Sequence, residues 1–444
     1  MLDAAVLVDR VPQIDRIPSI DELIGAFRDL ASRHPHLFRL RRIGASRLGE
    51  PLLMLTAGHG SRQALLVGGP HPNEPVGFLT LLHLARRLAD DADLRDGMDY
   101  TWNLVPCIDP DGARLNEGWY RGPLTIEHYH RHFYRPALRN QPEWTFPMSN
   151  GSAFFDRPLP ETQALMRVID ELRPRFQYSL HNADFGAAYF VLNRDIPGLA
   201  GRLADAARAC QIPLELAPSE AVGWGVAGPA VFVMPPAHEM FTNNDNGDKS
   251  GPHFHGASSL HYAERHGTFT LITEAPMWRE AHPDWGQHPP NAHMLPTMAA
   301  GLRRDLDELE GTLRRVTPEI RTSLVFYRAV ADALVVGRAY VKRWETAAAY
   351  TGEAGRSLVA AELAGAKLTS WRIPLRAAAM LRRLLCVECE SGNHRPVLRA
   401  ELAATEERFA RGCARALEGA FEPVPMRDLV ALQLSAALTT IAHL

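Results

Sequence analysis

Ala64-Leu-Leu-Val-Gly-Gly-Pro-His71-Pro-Asn-Glu74-Pro-Val-Gly-Phe78 is the stretch from which the rest of the chain can be read. Ala64 to Val67 reads as a strand buried on both faces, and Gly68-Gly69-Pro70 takes the backbone out of the sheet. From about Val76 to Leu88 the apolar spacing becomes that of an amphipathic helix. Strand, sharp exit and returning helix make a βα unit. His71-Pro-Asn-Glu74 then falls in the loop at the strand's carboxyl end.

Working outward, residues 20 to about 295 alternate short apolar runs with helical patterns, which predicts an α/β fold with a mixed, mostly parallel sheet flanked by helices. Further strands are expected at Tyr100–Val105, Phe176–Leu180, Tyr189–Leu192, Ala230–Met234 and Thr268–Thr273, all rich in β-branched or aromatic residues. Pro235 to Gly256 is polar and rich in Gly and Asn, and reads as a long surface loop. After about residue 296 the strand patterns vanish. Leu302, Leu306, Leu309, Leu313 and Val316 step along one helix stripe that Pro318 ends, and similar patterns follow around 319–349, 357–367, 374–388, 395–419 and 426–441. The chain therefore divides into 1–295, carrying the α/β pattern, and 296–444, an α-helical unit of unknown role.

Composition bounds the function. Of 444 residues 46% are apolar and 22% charged, ordinary for a globular protein with a sizeable core. Forty-eight basic against 51 acidic residues give a net charge of −3, which supplies no field for nucleic acid or an anionic membrane surface. The amino terminus lacks the basic and apolar regions of a signal peptide, and no uncharged run reaches a membrane span. With five sparse cysteines, a cytoplasmic location is expected. The 19 histidines stand out.

Two of those histidines carry chemistry. His71 and Glu74 lie three apart on a turn, so an imidazole and a carboxylate can converge on one point. Alone, His-x-x-Glu is a frequent chance match, equally read as a loop histidine beside a helix N-terminal acid. His181, in Ser179-Leu-His-Asn-Ala-Asp184, ends a strand of its own, and functional groups of open α/β sheets collect beyond such ends. Two histidines and one carboxylate compose a catalytic zinc site with a fourth position left for water. Glu274 ends the strand Thr268–Thr273 and points into the same crevice, where a carboxylate can move a proton from activated water to a leaving nitrogen.

These residues resemble the zinc carboxypeptidases, the funnelin-type metallocarboxypeptidases. His71-Pro-Asn-Glu74 looks like the family's zinc motif, and His181 in Ser-Leu-His-Asn like its third ligand. Asp109-Pro-Asp-Gly112 resembles its Asn-Pro-Asp-Gly turn with Asp109 in place of Asn, and Thr270-Leu-Ile-Thr-Glu274 resembles the strand of its general base. His34-Pro-His-Leu-Phe38, Ile43-Gly-Ala-Ser46 and Gly49-Glu-Pro51 resemble the stretch before its first central strand, so the resemblance covers roughly residues 20 to 280. It implies one Zn(2+) per chain held by His71, Glu74 and His181, with Glu274 as general base and then acid. Arg121, in Gly118-Trp-Tyr-Arg121, best matches the arginine that stabilises the oxyanion.

Other parts of the pattern depart from the family. Its Asn-Arg pair for the substrate carboxylate has no direct match, and Tyr129-His-Arg-His-Phe-Tyr-Arg-Pro136 offers Arg135 first and Arg131 second, ahead of the reversed Arg139-Asn140. His255, His261 and Tyr262 are candidates for its mobile tyrosine position and for binding substrate. His128, His130 and His132 are read as a polar loop at the crevice, Cys386-Val-Glu-Cys389 as an isolated pair within a helix, and the arginines of the C-terminal helices as solvated. The expected activity is zinc-dependent hydrolysis of a C-terminal amide bond in small peptides or N-acyl amino acids. The alternatives are an aspartoacylase-type deacylase and an inactive scaffold that binds partners. A homo-oligomer would form through the C-terminal helices.

Overall fold

Nine strands make the main sheet: β1 (Phe38–Ala45), β2 (Pro51–Ala57), β3 (Arg62–Gly68), β4 (Tyr100–Val105), β5 (Phe176–His181), β6 (Tyr189–Leu192), β7 (Gly225–Gly228), β8 (Val231–Val233) and β9 (Phe269–Glu274). The computed structural model describes residues 11–150, 153–242, 256–280, 294–322, 324–348 and 352–444. The strands lie in the order β1-β2-β4-β3-β5-β9-β6-β8-β7. The central four, β4, β3, β5 and β9, are mutually parallel, while β1 and β2 on one flank and β6 beside β9 on the other run antiparallel to their inner neighbours.

The buried strand inferred from Ala64 to Val67 has two covered faces. Ala64 and Leu66 join the cluster that contains Phe78 and Leu81, whereas Leu65 and Val67 join Leu165 and Val168. Alternation along the pleat thus sends successive side chains into two different cores. Helices α1 (Ile20–Arg33), α2 (Val76–Asp90) and α4 (Leu199–Ala209) contribute to the first core, and α3 (Pro160–Leu172) to the second. Ser19 starts α1 with reciprocal caps, its hydroxyl accepting from Glu22 N at 3.3 Å and its N–H donating to the Glu22 carboxylate at 2.8 Å.

The C-terminal region is helical as its apolar stripes predict, with α5 (Met294–Val316), α6 (Leu324–Ala348), α7 (Gly352–Glu390), α8 (Pro396–Leu417) and α9 (Met426–Ile441). The two patterns at 357–367 and 374–388 belong to one helix, α7, which continues through Pro374. A proline removes one backbone bond, and helix-favouring residues on both sides keep the segment helical. α9 packs on α2 and α4, and Trp278–Glu280 pairs antiparallel with Phe421–Pro423. The larger hydrophobic cluster runs from Ile20 of α1 to Ile441 of α9, so helices from both sides of residue 295 share one interior. Pro235–Gly256, read as a loop, contains the short helix Ala237–Thr242, and 243–255 lie outside the described residues. Among the described residues no helix is long and apolar enough to cross a membrane.

Candidate metal centre

The sheet order places three functional residues side by side. β3, β5 and β9 are adjacent and parallel, with Gly68 opposite Leu180 and His181 opposite Glu274. Strands in register stand about 4.8 Å apart, so the residues that leave their carboxyl ends are neighbours by construction. Gly69 makes the exit from β3 at φ +61°, and a Cβ there would come within 2.5 Å of the Phe78 ring. The following turn closes with Glu74 N donating to His71 O at 3.1 Å. The first free N–H of α2, on Val76, donates to Asn182 Oδ1 at 3.1 Å, which ties the His71–Glu74 loop to the residue after His181.

His71, Glu74 and His181 are all buried, and each offers a ligand atom within 4.8 Å of the others. His181 Nδ1 lies 3.1 Å from Glu74 Oε2 and 3.7 Å from Glu274 Oε1, and the two imidazole centroids are 4.8 Å apart. His71 Nδ1 is buried without a hydrogen-bond partner among the described residues, an orphan that a cation would satisfy. On the far side of the His181 ring, Nε2 is 3.0 Å from Ser179 Oγ, and Ser179 also faces the Glu143 carboxylate. Without a metal Nδ1 carries the proton that bonds Glu74, and with the other ring proton on Nε2 toward Ser179, a cation would take the Nδ1 proton's place. Two imidazole nitrogens and a carboxylate, with the second carboxylate of Glu274 alongside, fit zinc in its catalytic form.

Charge supports that fit. Burial works to lower the His181 pKa, but its hydrogen bond to Glu74 and the charges of Glu74, Glu274 and Glu143 push it up to about 9. Glu274 is raised to about 8 by burial and by the charge of Glu74. Burial and the nearby Arg135 hold His71 well below the usual histidine range. Three carboxylates, Glu74, Glu274 and Glu143, thus favour a positive charge at His181, and a cation among the three ligands would take the place of its proton.

Arg135 is the arginine brought to this point. Its NH1 donates to Glu74 Oε1 at 2.5 Å and to Asn73 Oδ1 at 3.2 Å. Arg121, expected to face the reacting carbonyl, is turned away. Its side chain is 63% exposed and pairs with Glu22 of α1 at 3.5 Å, because the short helix Glu117–Tyr120 buries Trp119 and Tyr120 instead. Arg131 is also drawn off, to Glu127 at 2.7 Å, to Glu406 of α8 and over the Phe409 ring. Tyr262 donates to Asp170 Oδ2 at 2.8 Å and packs on Phe146, on the α3 side of the sheet. His261 caps a helix through Ser258 and reaches Pro235 O, and Arg139 is exposed. His255 lies outside the described residues.

His128, His130 and His132 lie on and just beyond the helix Ile126–Arg131 rather than in a loop, and His130 is buried with its ring stacked on Phe185. Glu143 escaped the reading of the sequence. Buried and accepting from Ser259 N at 3.1 Å and Ser259 Oγ at 2.8 Å, it comes from Gln141-Pro-Glu-Trp144, where no spacing marks it. Arginines of the C-terminal helices are the larger surprise. Asp184, three residues after His181 and fully buried, accepts from Arg376 at 2.6 and 3.0 Å and from Arg372 at 3.4 Å. Burial opposes the charge on Asp184, yet the two guanidiniums keep its pKa down at about 2. Arg383 donates to the carbonyls of Leu115, His132 and Phe133, so α7 is bound to the loops around the centre and these arginines are not solvated.

The family model described as zinc carboxypeptidase matches residues 24–195. No curated protein matches the chain. Among solved structures, carboxypeptidase A from Helicoverpa armigera is 16% identical, with 63% of this chain and 70% of that chain covered and a TM-score of 0.39. Bovine thrombin-activatable fibrinolysis inhibitor, in complex with tick carboxypeptidase inhibitor, is 13% identical over 58% of this chain and 86% of that chain, with a TM-score of 0.37. Murein-tripeptide amidase from Escherichia coli O157 is 20% identical over 54% of this chain and 88% of that chain, with a TM-score of 0.29.

Proposed function

We propose that this chain, whose residues 24–195 match the family model described as zinc carboxypeptidase, is a hydrolase that cleaves the C-terminal amide bond of small peptides or N-acyl amino acids. One observation carries the reading: His71, Glu74 and His181 converge, and Glu274 stands 3.7 Å from the His181 nitrogen that faces Glu74. A zinc ion held by the three ligands would polarise the scissile carbonyl and acidify water beside it. Glu274 takes the water proton and passes it to the leaving nitrogen. Burial and the charge of Glu74 raise its pKa, which makes it a stronger base than a solvated carboxylate.

Arg135 takes the part that the resemblance gave to Arg121. With one nitrogen already on Glu74, its remaining N–H groups lie beside the ligand set, where a carbonyl oxygen gains charge during attack. An inactive scaffold would have no need to keep three ligands and a base together in one buried cluster.

The test is a screen of dipeptides and N-acyl amino acids with product detection, run beside Glu274→Gln. The variant is expected to keep its zinc and lose about 100-fold or more in kcat. Normal hydrolysis by Glu274→Gln would place the base elsewhere. Cleavage confined to N-acyl amino acids would move the assignment to a deacylase.

A further inference from the structure

The family resemblance left the substrate's carboxylate without a binding pair, and Arg135, the first candidate for it, is held by the metal ligand Glu74. A second guanidinium comes from outside the matched region. Arg372 of α7 is 11% exposed, with NH1 3.4 Å from Asp184 Oδ1 and NH2 3.8 Å from Glu220 Oε1. Its Nε is buried with no hydrogen-bond partner among the described residues. Asp184 is already held at 2.6 Å by Arg376, so one buried carboxylate serves two guanidiniums. The second anion, Glu220, is 55% exposed, and water competes for it.

The position fits as well as the charge. Glu220 accepts a hydrogen bond from Tyr189 OH at 3.2 Å, and Tyr189 is the cross-strand partner of the base Glu274. Base, tyrosine, exposed carboxylate and arginine are thus linked contact by contact from the end of β9 to α7. We propose that Arg372 is the anchor for the substrate's free carboxylate, which displaces Glu220 from the guanidinium. The helical region then contributes a specificity residue to a site whose metal ligands all lie before it. Arginine suits the role because its planar fork meets a carboxylate with two parallel hydrogen bonds. Trading a solvated partner for a desolvated one strengthens the pair.

The proposal rests on the reading that the substrate carries a free C-terminal carboxylate, and its test separates the two. Full-length, zinc-loaded protein is assayed on a cleaved dipeptide as the free acid and as the C-terminal amide, and the ratio of the two kcat/KM values is followed. Wild type is expected to favour the acid. Arg372→Met should lower that ratio at least about tenfold, mainly through KM for the acid, with Arg372→Lys keeping more of it. Glu220→Gln removes the competing anion and should raise the ratio. Should Arg372→Met fail to fold, Glu220→Gln decides alone, and a ratio equal to wild type overturns the anchor. An unchanged ratio in a folded Arg372→Met does the same. A wild-type ratio near one, with hydrolysis intact, overturns the free-carboxylate reading itself and the anchor with it.

Discussion

Ser179 shows how a residue with no catalytic chemistry fixes one that has it. Its hydroxyl sits between His181 Nε2 and Glu143, and this relay holds the ring so that Nδ1 faces Glu74. Partners of this kind typically change metal affinity about 10- to 100-fold. Ser179→Ala should therefore weaken zinc by that order in chelator competition, with the fold intact, and unchanged affinity would remove the relay from the account. Asp109 is a second case, set by burial. Burial raises its pKa to about 7 despite the Arg47 charge. An acid whose pKa is higher in the folded state binds a proton that the unfolded chain has released. Its stability contribution is then whole below about pH 4 and is lost as pH rises to about 7. Asp109→Asn removes that loss, and Asn Oδ1 can still accept from Gly112 N, the 3.1 Å bond that Asp109 makes. The variant should gain roughly 2 kcal/mol more at about pH 8 than at about pH 5 by denaturant titration, and equal shifts at both would refute the buried-acid argument. His71, Glu74, His181 and Glu274 could be read in the sequence because each follows a strand or ends one, where sheet geometry fixes its direction. Arginine roles could not. Arg121, Arg131 and Arg135 lie within one irregular stretch, and which of them reaches Glu74 depends on what buries their neighbours.

Among the elements, the central strands and α2 were legible because burial on both faces of β3 and the helical period after it leave little choice. β1, β2 and β7 were not. They lie on the flanks of the sheet, and β1 and β7 mix exposed with covered residues, which blurs the strand signal. α9 was legible as a helix and silent about its position. It lies against α2 and α4, where Gln433 donates to His181 O at 2.7 Å and bonds Thr80 Oγ at 2.6 Å, all within the core. The last helix thereby braces the backbone of His181, a proposed metal ligand. Gln433→Ala would take a donor from the buried His181 carbonyl, leave Thr80 Oγ its bond to Val76 O alone and open a cavity, and the loss should be roughly 2–4 kcal/mol in denaturant unfolding. A change below about 0.5 kcal/mol would show that the brace does not matter.

For the molecule as a whole, the change of pattern near residue 295 separates two architectures, and we propose it as the boundary between the α/β unit and the helical one. The interior is nonetheless continuous, and Arg372, Arg376 and Arg383 of α7 bind the loops that surround the centre. On a helix taken alone such arginines read as a solvated face. Their role appears only when α7 packs on the loops that carry Asp184, Leu115 and Phe133, since nothing in local sequence tells a guanidinium which carboxylate it will meet. The excess of histidine resolves in a similar way. Two stand in the His71–Glu74–His181 cluster, while His128 and His132 meet edge to face and His130 stacks on Phe185. The central claim, that His71, Glu74 and His181 hold the metal on which hydrolysis depends, is tested most directly by metal analysis of purified wild type beside His71→Ala, with activity measured on the same samples. About one zinc per chain is expected in wild type, with zinc and turnover falling together in the variant. A wild-type enzyme that turns over substrate without metal, or a His71→Ala protein that keeps both, would contradict it.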